Sequence, residues 1–546
     1  MKHKKKISLL LGVVMLFMLF SACGGNSTAG KGFRFSLDSS PKQFDPQYAS
    51  SDSEITVISS MFEGLASVDE NGKIVEGCAS WSISDDGLVY TFDIKKTMWS
   101  DVGTKDEDGN ELPGTQVTAH DFVFGIKRAL SRDMLSPLAH KLFDIKGAYD
   151  YSKGYANEDA LGVAAINDFK LEITLEKPTE DFLIKTLSPP FMPCNEAFFE
   201  STGGRYGMGE KYILTNGPFY LRTWTPDESV LLRKHTGYYG ADGILPYAVR
   251  FVINPHYDNP LAAIDEGEID VLPLTYDQIE NVDDTKHKLV SLDDTVLFLA
   301  INNGDSFFKN ENIRAALRDS IDWDSLGGVL HSEIYAPSTG FVTSESLMSS
   351  SEKYRTNQNG ISKKIDAVSA KESFQNGLAE LGLAEPPKVS LLYYDDEYSL
   401  AVARMILQFW QKNLSFYCSL EAVDRSKMNS RVMSEDYALA LFDYTAKSPY
   451  ASDMFAQFVS SSEGNFAGFS NAEYDRLFEE AAKNDFPRSK TEQLESFLWD
   501  HCAAIPVAFD KRVMAQSASI SGLVIHPFGG GVYGSPYDFR KAGKTN

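Results

Sequence analysis

From Phe33 to the C-terminus, segments of two-residue and helical hydrophobic periodicity follow one another, and no Pro- or Ser-rich linker interrupts them after Lys31. At roughly 150 residues per domain, a chain of 546 residues holds three or four domains' worth of material. Without linkers to separate them, those domains are expected to be assembled from discontinuous pieces. Residues 90–94 (YTFDI) and 171–175 (LEITL) alternate apolar and polar side chains, as strands with one face on a core do. Thr118 precedes Phe122, Val123, Ile126 and Leu130 at helical spacing, and its hydroxyl is placed to cap the first turn. Further helices are predicted over 473–483 with Asn471 as cap, from near Pro487, and over 399–412. The pattern is that of a mixed α/β protein.

The N-terminus has a different character. Met1-Lys2-His3-Lys4-Lys5-Lys6 leads into an apolar run from Ile7 to Phe20 that stops at Ser21-Ala22-Cys23. That run is shorter than the roughly 20 residues a spanning helix needs, and the small pair before Cys23 suits signal-peptidase cleavage. It reads as a lipoprotein signal: residues 1–22 removed, Cys23 lipidated, and 23–31 a tether. The alternative is an ordinary secretory signal with an incidental cysteine. Two or three acyl chains anchor stably where one is marginal, at about 0.8 kcal/mol per buried methylene. The protein is then expected on the extracytoplasmic face of the cell membrane, attached only through lipid.

The net charge is −24, and losing Lys2, Lys4, Lys5 and Lys6 with the signal makes it four units more negative. Nucleic acid and an anionic membrane surface are thereby excluded as ligands. Cys78, Cys194, Cys418 and Cys502 show no Cys-x-x-Cys or Cys/His clustering; an even count in an exported protein permits disulfides, and free, buried thiols are the favoured reading. No Gly-x-Ser-x-Gly, His-Glu-x-x-His or Walker motif occurs. Residues 529–534 (GGGVYG) match the dinucleotide fingerprint, but Pro536 and the nearby chain end leave no room for its helix, so they read as a loop. The acidic stretch 106–111 (DEDGNE) lacks the spacing of an EF-hand loop. No metal and no cofactor are implied.

The runs EGCASWSISDDGLVYTFDIKKTMWSD and VTAHDFVFGIKRAL resemble the signature region of the bacterial family 5 extracellular solute-binding proteins, the oligopeptide-binding type. FDPQ, FEGL, LGVAAINDFKLEITLEKP, NGPFYLRTW, GEIDVLP, FKNENIRAALRDSID, NAEYDRLFEEA and AAIPVAF resemble further family blocks in the same order. Each also has a plain structural reading: Trp81, Tyr90, Phe92 and Trp99 as packing, 85–87 as a hairpin turn, Gly217-Pro218 as a turn before a strand, and Arg314 as a helix anchor.

The resemblance implies a periplasmic-binding-protein type II-like fold, two lobes on a hinge and three discontinuous domains. Domain I would comprise 32–58, 186–294 and 506–546; domain II 59–185; domain III 295–505. The crossings at 295–303 and 505–509 would form the hinge. It further implies a monomer that holds an extended oligopeptide by its main chain and delivers it to an ABC permease. The matching contact regions are Ser50-Ser51-Asp52-Ser53, Phe124, Arg431 and the stretch Phe442-Asp443-Tyr444-Thr445-Ala446-Lys447. Phe124 stands where the family often has tyrosine, and equally reads as a helix core residue. In the last stretch the family usually has Gly-Trp-x-Ala-Asp-Tyr, whose Asp pairs with the peptide's ammonium. Aligned without gaps, Lys447 takes that Asp position, and a lysine repels an ammonium. In a shifted register Asp443-Tyr444 supply the Asp-Tyr pair instead. Two other functions remain open to the sequence: a binder of a sugar, opine or chelated metal on the same scaffold, and an extracellular hydrolase.

Overall fold

The structure is a computed structural model that describes residues 32–545 except 38, 70–72, 102–113, 180–181, 275, 331–334, 349–351, 357–359, 447–448, 463, 485 and 529–534. The lipidation site Cys23, the acidic stretch and the glycine-rich segment lie outside the described residues, as does Lys447. Among the described residues no helix is long and apolar enough to cross a membrane.

Local signals set the elements. Val89–Ile94 pairs antiparallel with Ala79–Ile83 and with Lys170–Thr174, burying Tyr90, Phe92 and Ile94 on one side. Its hairpin turns through Gly87 at φ +70°, while the Asp86 carboxylate accepts from the Ser84 hydroxyl and the Leu88 amide. Helix Ala119–Leu130 starts after Thr118, which forms a reciprocal capping box with Asp121, whose carboxylate accepts both the Thr118 amide (2.8 Å) and its hydroxyl (3.1 Å). Asn471 caps Ala472–Lys483 by accepting from the Glu473 and Tyr474 amides, and Arg488–Asp500 begins beside Pro487. The helix expected over 399–412 spans Glu397–Leu414, because Asp396 caps it earlier and Ser415, at φ +56°, ends it later. Gly217 is required by proximity: a Cβ there would lie 2.6 Å from the Met61 carbonyl oxygen.

Three larger sheets organise the chain. Phe33–Leu37, Ala248–Ile253, Ser229–Lys234 and Phe219–Thr225 form one, and Ala79–Ile83, Val89–Ile94, Lys170–Thr174 and Val163–Asn167 a second. The third runs in the order Val271–Pro273, Ile505–Ser517, His287–Ile301, Leu439–Thr445, Ser390–Tyr394, Ser419–Val423, with Tyr335–Pro337 on Ile505–Ser517. His287–Ile301 and Ile505–Ser517 are two long antiparallel strands, paired from His287↔Ser517 to Leu299↔Ile505.

Apolar packing divides these long strands in two. Leu292 and Met514 belong to a core that gathers Phe33, Phe92, Phe122, Phe251 and Phe539. Val296, Leu297, Ile505, Val507 and Phe509 belong to cores built only from residues 296–509. The segment 59–185 has its own sheet, yet its apolar side chains are continuous with that first core. The result is two lobes joined through the long strands. Their pairing slips between Asp293 and Thr295, where fully buried Asp294 accepts the Arg512 guanidinium and the Phe528 amide. At the other end of the first lobe Lys544 ion-pairs with Asp270 at 2.8 Å and donates to the Gly32 carbonyl, tying the C-terminal segment to the stretch that leads into Phe33–Leu37.

Arg314 donates to the carbonyls of Phe308, Lys309, His501 and Cys502, anchoring its helix as expected. Cys78, Cys194 and Cys502 are buried and Cys418 half-buried, none of them in a disulfide. Burial pushes the Cys194 thiol up to about 12.

Candidate ligand-binding site

Between the lobes lies a cavity of about 1540 Å³. One wall comes from the first lobe, with Leu37, Asp52, Ser53 and Thr56, and the other from the second, with Tyr335, Tyr394 to Tyr398, Asp424, Asn429 and Asp443. The long strands supply Thr295, Asp510, Lys511 and Arg512.

Strand register builds the centre of this site. Thr445 pairs with Thr295, Thr295 with Asp510, and Asp510 with Tyr335, so one polar row crosses four strands on the cavity face. The two threonine hydroxyls are 2.8 Å apart, sharing a hydrogen bond. Tyr335 stacks on Tyr398 at 3.8 Å between ring centroids, with the planes 5° apart. Burial pushes both hydroxyls well above the usual tyrosine range, and the nearby Asp510 and Asp443 carboxylates push further. Asp443 donates its backbone N–H to the Tyr394 hydroxyl at 3.1 Å.

The cavity lining carries seven carboxylates, Asp52, Asp395, Asp396, Glu397, Asp424, Asp443 and Asp510, against two cations, Lys511 and Arg512. One of those cations, Arg512, is already held by Asp294. The field inside the cleft therefore attracts cations and repels anions, and low-dielectric walls sharpen both effects.

The residues singled out from the sequence fall into two groups. Asp52, Asp443 and Thr445 line the cavity, Asp52 beside Ser53. Ser51 caps the helix Asp52–Met61 in a reciprocal pair with Glu54, and the Ser50 hydroxyl donates to the same carboxylate. Phe124 packs on Phe199, at 5.7 Å between centroids. Arg431 pairs with Glu421 and Asp436. Tyr444 points to the opposite face of its strand, stacked on Phe466. The sequence reading passed over Tyr335, Tyr398, Asp510 and the run 394–397. The string YYDDEYS, in which an acidic, aromatic cluster follows a strand and opens a helix, was a signal for the last of these.

Two lobes, a large cleft between them and a lining of binding groups define a two-lobed solute-binding protein. The model of the bacterial extracellular solute-binding proteins, family 5, matches residues 76–466, and the chain belongs to that family. It is a binding protein, not an enzyme. The oligopeptide-binding protein OppA of Bacillus subtilis is 26% identical over 97% of this chain and 98% of its own length. A probable deoxycholate-binding periplasmic protein of Escherichia coli, YgiS, is 24% identical over 90% and 91%. Among solved structures, Listeria monocytogenes OppA bound to peptide superposes with a TM-score of 0.72 at 24% identity, covering 95% of this chain and 99% of that one; this likeness concerns the fold.

Proposed function

We propose that the protein captures oligopeptides outside the cytoplasm, held to the membrane by lipid on Cys23, and hands them to the permease of an ABC importer. The observation that carries the peptide reading is the acidic, tyrosine-walled cleft, which suits an extended chain with a free ammonium group. Asp443 is our choice for the group that holds this ammonium, with Asp52, Thr445 and the Tyr335–Tyr398 pair beside it. The non-peptide alternative has a relative named as a probable deoxycholate-binding protein, but a bile-salt carboxylate would meet seven like charges here. Native mass spectrometry of the purified protein tests the assignment: peptides carrying free amines should co-purify, and an anionic or sugar ligand would overturn it.

In this reading domain II is 59–185, domain I takes 32–58, 186–294 and the C-terminal piece, and domain III begins at 295; the boundary expected at 505/506 is moved to about 509/510, because Val507 and Phe509 pack with the second lobe's cores. The hinge sits where the long strands change cores, at about 293–295 and 510–512. The second of these lies just beyond the 505–509 crossing read from the sequence, since Ile505, Val507 and Phe509 pack inside the second lobe. Only a ligand touching both lobes shifts the balance toward closure. Small-angle scattering should therefore give a smaller radius of gyration at saturating peptide, and an unchanged profile would refute closure. Mass analysis of the mature protein is expected to find Cys23 as a lipid-bearing first residue; an N-terminus that retains residues 1–22 in the membrane fraction would contradict it.

A further inference from the structure

Of the seven carboxylates in the cleft lining, two are committed to the fold. Asp396 caps the helix Glu397–Leu414, accepting the Ser399 amide at 2.7 Å and its hydroxyl at 3.0 Å. Asp424 caps the helix Arg425–Met433 and pairs with Lys427 at 2.9 Å. Asp443 and Asp510 sit near the stacked tyrosines, whose hydroxyls feel both charges. The remaining three, Asp52, Asp395 and Glu397, are exposed and line the cavity, and their side chains make no hydrogen bond or ion pair among the described residues.

These three stand on opposite walls. Asp52 opens a helix of the first lobe, whereas Asp395 and Glu397 flank the junction between the strand Ser390–Tyr394 and its following helix in the second. Closing the cleft brings the two acidic walls toward each other, and like charges then oppose closure unless a cation lies between them. The lining's own cations, Lys511 and Arg512, belong to the strand Ile505–Ser517 and to neither wall, and Arg512 is held by Asp294. A metal ion fits poorly, since among the described residues no three His, Cys, Asp or Glu side chains group as its ligands would. The cavity also has apolar surface, with Leu274, Val329 and Met514 beside the tyrosines. An aliphatic stem that ends in a positive charge matches such a lining, because the stem covers apolar wall while the head meets a carboxylate.

We propose that the cleft selects peptides bearing a lysine or arginine side chain, its charged head placed between Asp52 and the Asp395–Glu397 pair. This selectivity rests on the peptide reading of the cleft and asks of the ligand a second positive charge beyond its N-terminal ammonium. Calorimetry tests it with alanine pentapeptides that carry one lysine, norleucine or glutamate at each position in turn. At one position or more, lysine should bind about tenfold tighter than norleucine, which keeps the apolar stem without the charge, and glutamate should bind more weakly than either. The ratio of lysine to norleucine affinity should shrink in Asp52→Asn and in the double variant Asp395→Asn, Glu397→Gln. It should also shrink for the unaltered protein in high salt, a readout independent of whether the variants fold. Equal affinity for lysine and norleucine at every position would overturn the selectivity and leave the peptide reading standing. No binding of any pentapeptide would overturn both. A lysine preference of full size in every variant would remove these three carboxylates from ligand selection and overturn the assignment.

Discussion

Asp443→Asn is expected to weaken binding of a peptide with a free N-terminus at least tenfold and to leave binding of the N-acetylated form of the same peptide unaffected. A unit charge about 4 Å from an ammonium is worth roughly 1 kcal/mol in water and 4 kcal/mol at the effective dielectric of a protein surface, and 1.4 kcal/mol is tenfold in affinity. The asparagine keeps the side chain's shape and removes only its charge, so the backbone contact to Tyr394 survives. Lys447→Asp is the companion variant, because the gap-free register assigns the amine position to residue 447. With Asp443 as anchor, Lys447→Asp changes little; with the other register, it strengthens free-amine peptides and Asp443→Asn changes nothing. Calorimetry on both variants with both peptide forms decides between them, and indifference in all four titrations would remove both residues from the site.

Arg128→Met is expected to cost about 3–5 kcal/mol, the toll of leaving a buried carboxylate without its partner. Arg128 projects from the helix Ala119–Leu130 onto Asp45, and both side chains are under 10% exposed. It also donates to the Gln47 carboxamide at 2.7 Å and lies over the Phe199 ring at 4.2 Å. Methionine fills much of the volume but supplies no charge. Since whole-domain stabilities run about 5–15 kcal/mol, a loss of that size is visible as a large fall in the urea midpoint. Asp45→Leu combined with Arg128→Met should recover much of it, because no charge then remains stranded. A single-variant loss below about 1 kcal/mol would mean that water reaches the pair.

The contrast between what was readable in the chain and what was not has a physical origin. Helix starts at Asn471 and Pro487, the hairpin at Gly87 and the alternation in Val89–Ile94 are local, written within a few residues. The polar row in the cleft is non-local. Asp510 meets Tyr335 only because Tyr335–Pro337 adds to Ile505–Ser517, and no periodicity near either residue announces the pairing. Family likeness led to a strand that borders the cleft, 439–445, and strand geometry then sorted its side chains. Consecutive residues cannot share a face, so Asp443 and Thr445 look into the cleft while Tyr444 turns to Phe466. Ser50 and Ser51 show the opposite case: a stretch next to the site whose hydroxyls are consumed in starting a helix.

The division of the long strands between two cores has a consequence for how the chain is made. The second lobe is one uninterrupted excursion, 296–509, whose two buried cores are built from residues within it. The first lobe draws its core from the beginning of the chain and from Met514, Ile520, Ile525, Phe539 and Ala542 near the end. Its ends must therefore meet across several hundred residues, a slow, high-contact-order closure unless the intervening stretch is already compact. In the order in which the chain is made, the lobe begun first is the one finished last. Folding of the excursion brings residues 296 and 509 side by side and shortens the search for the final strand.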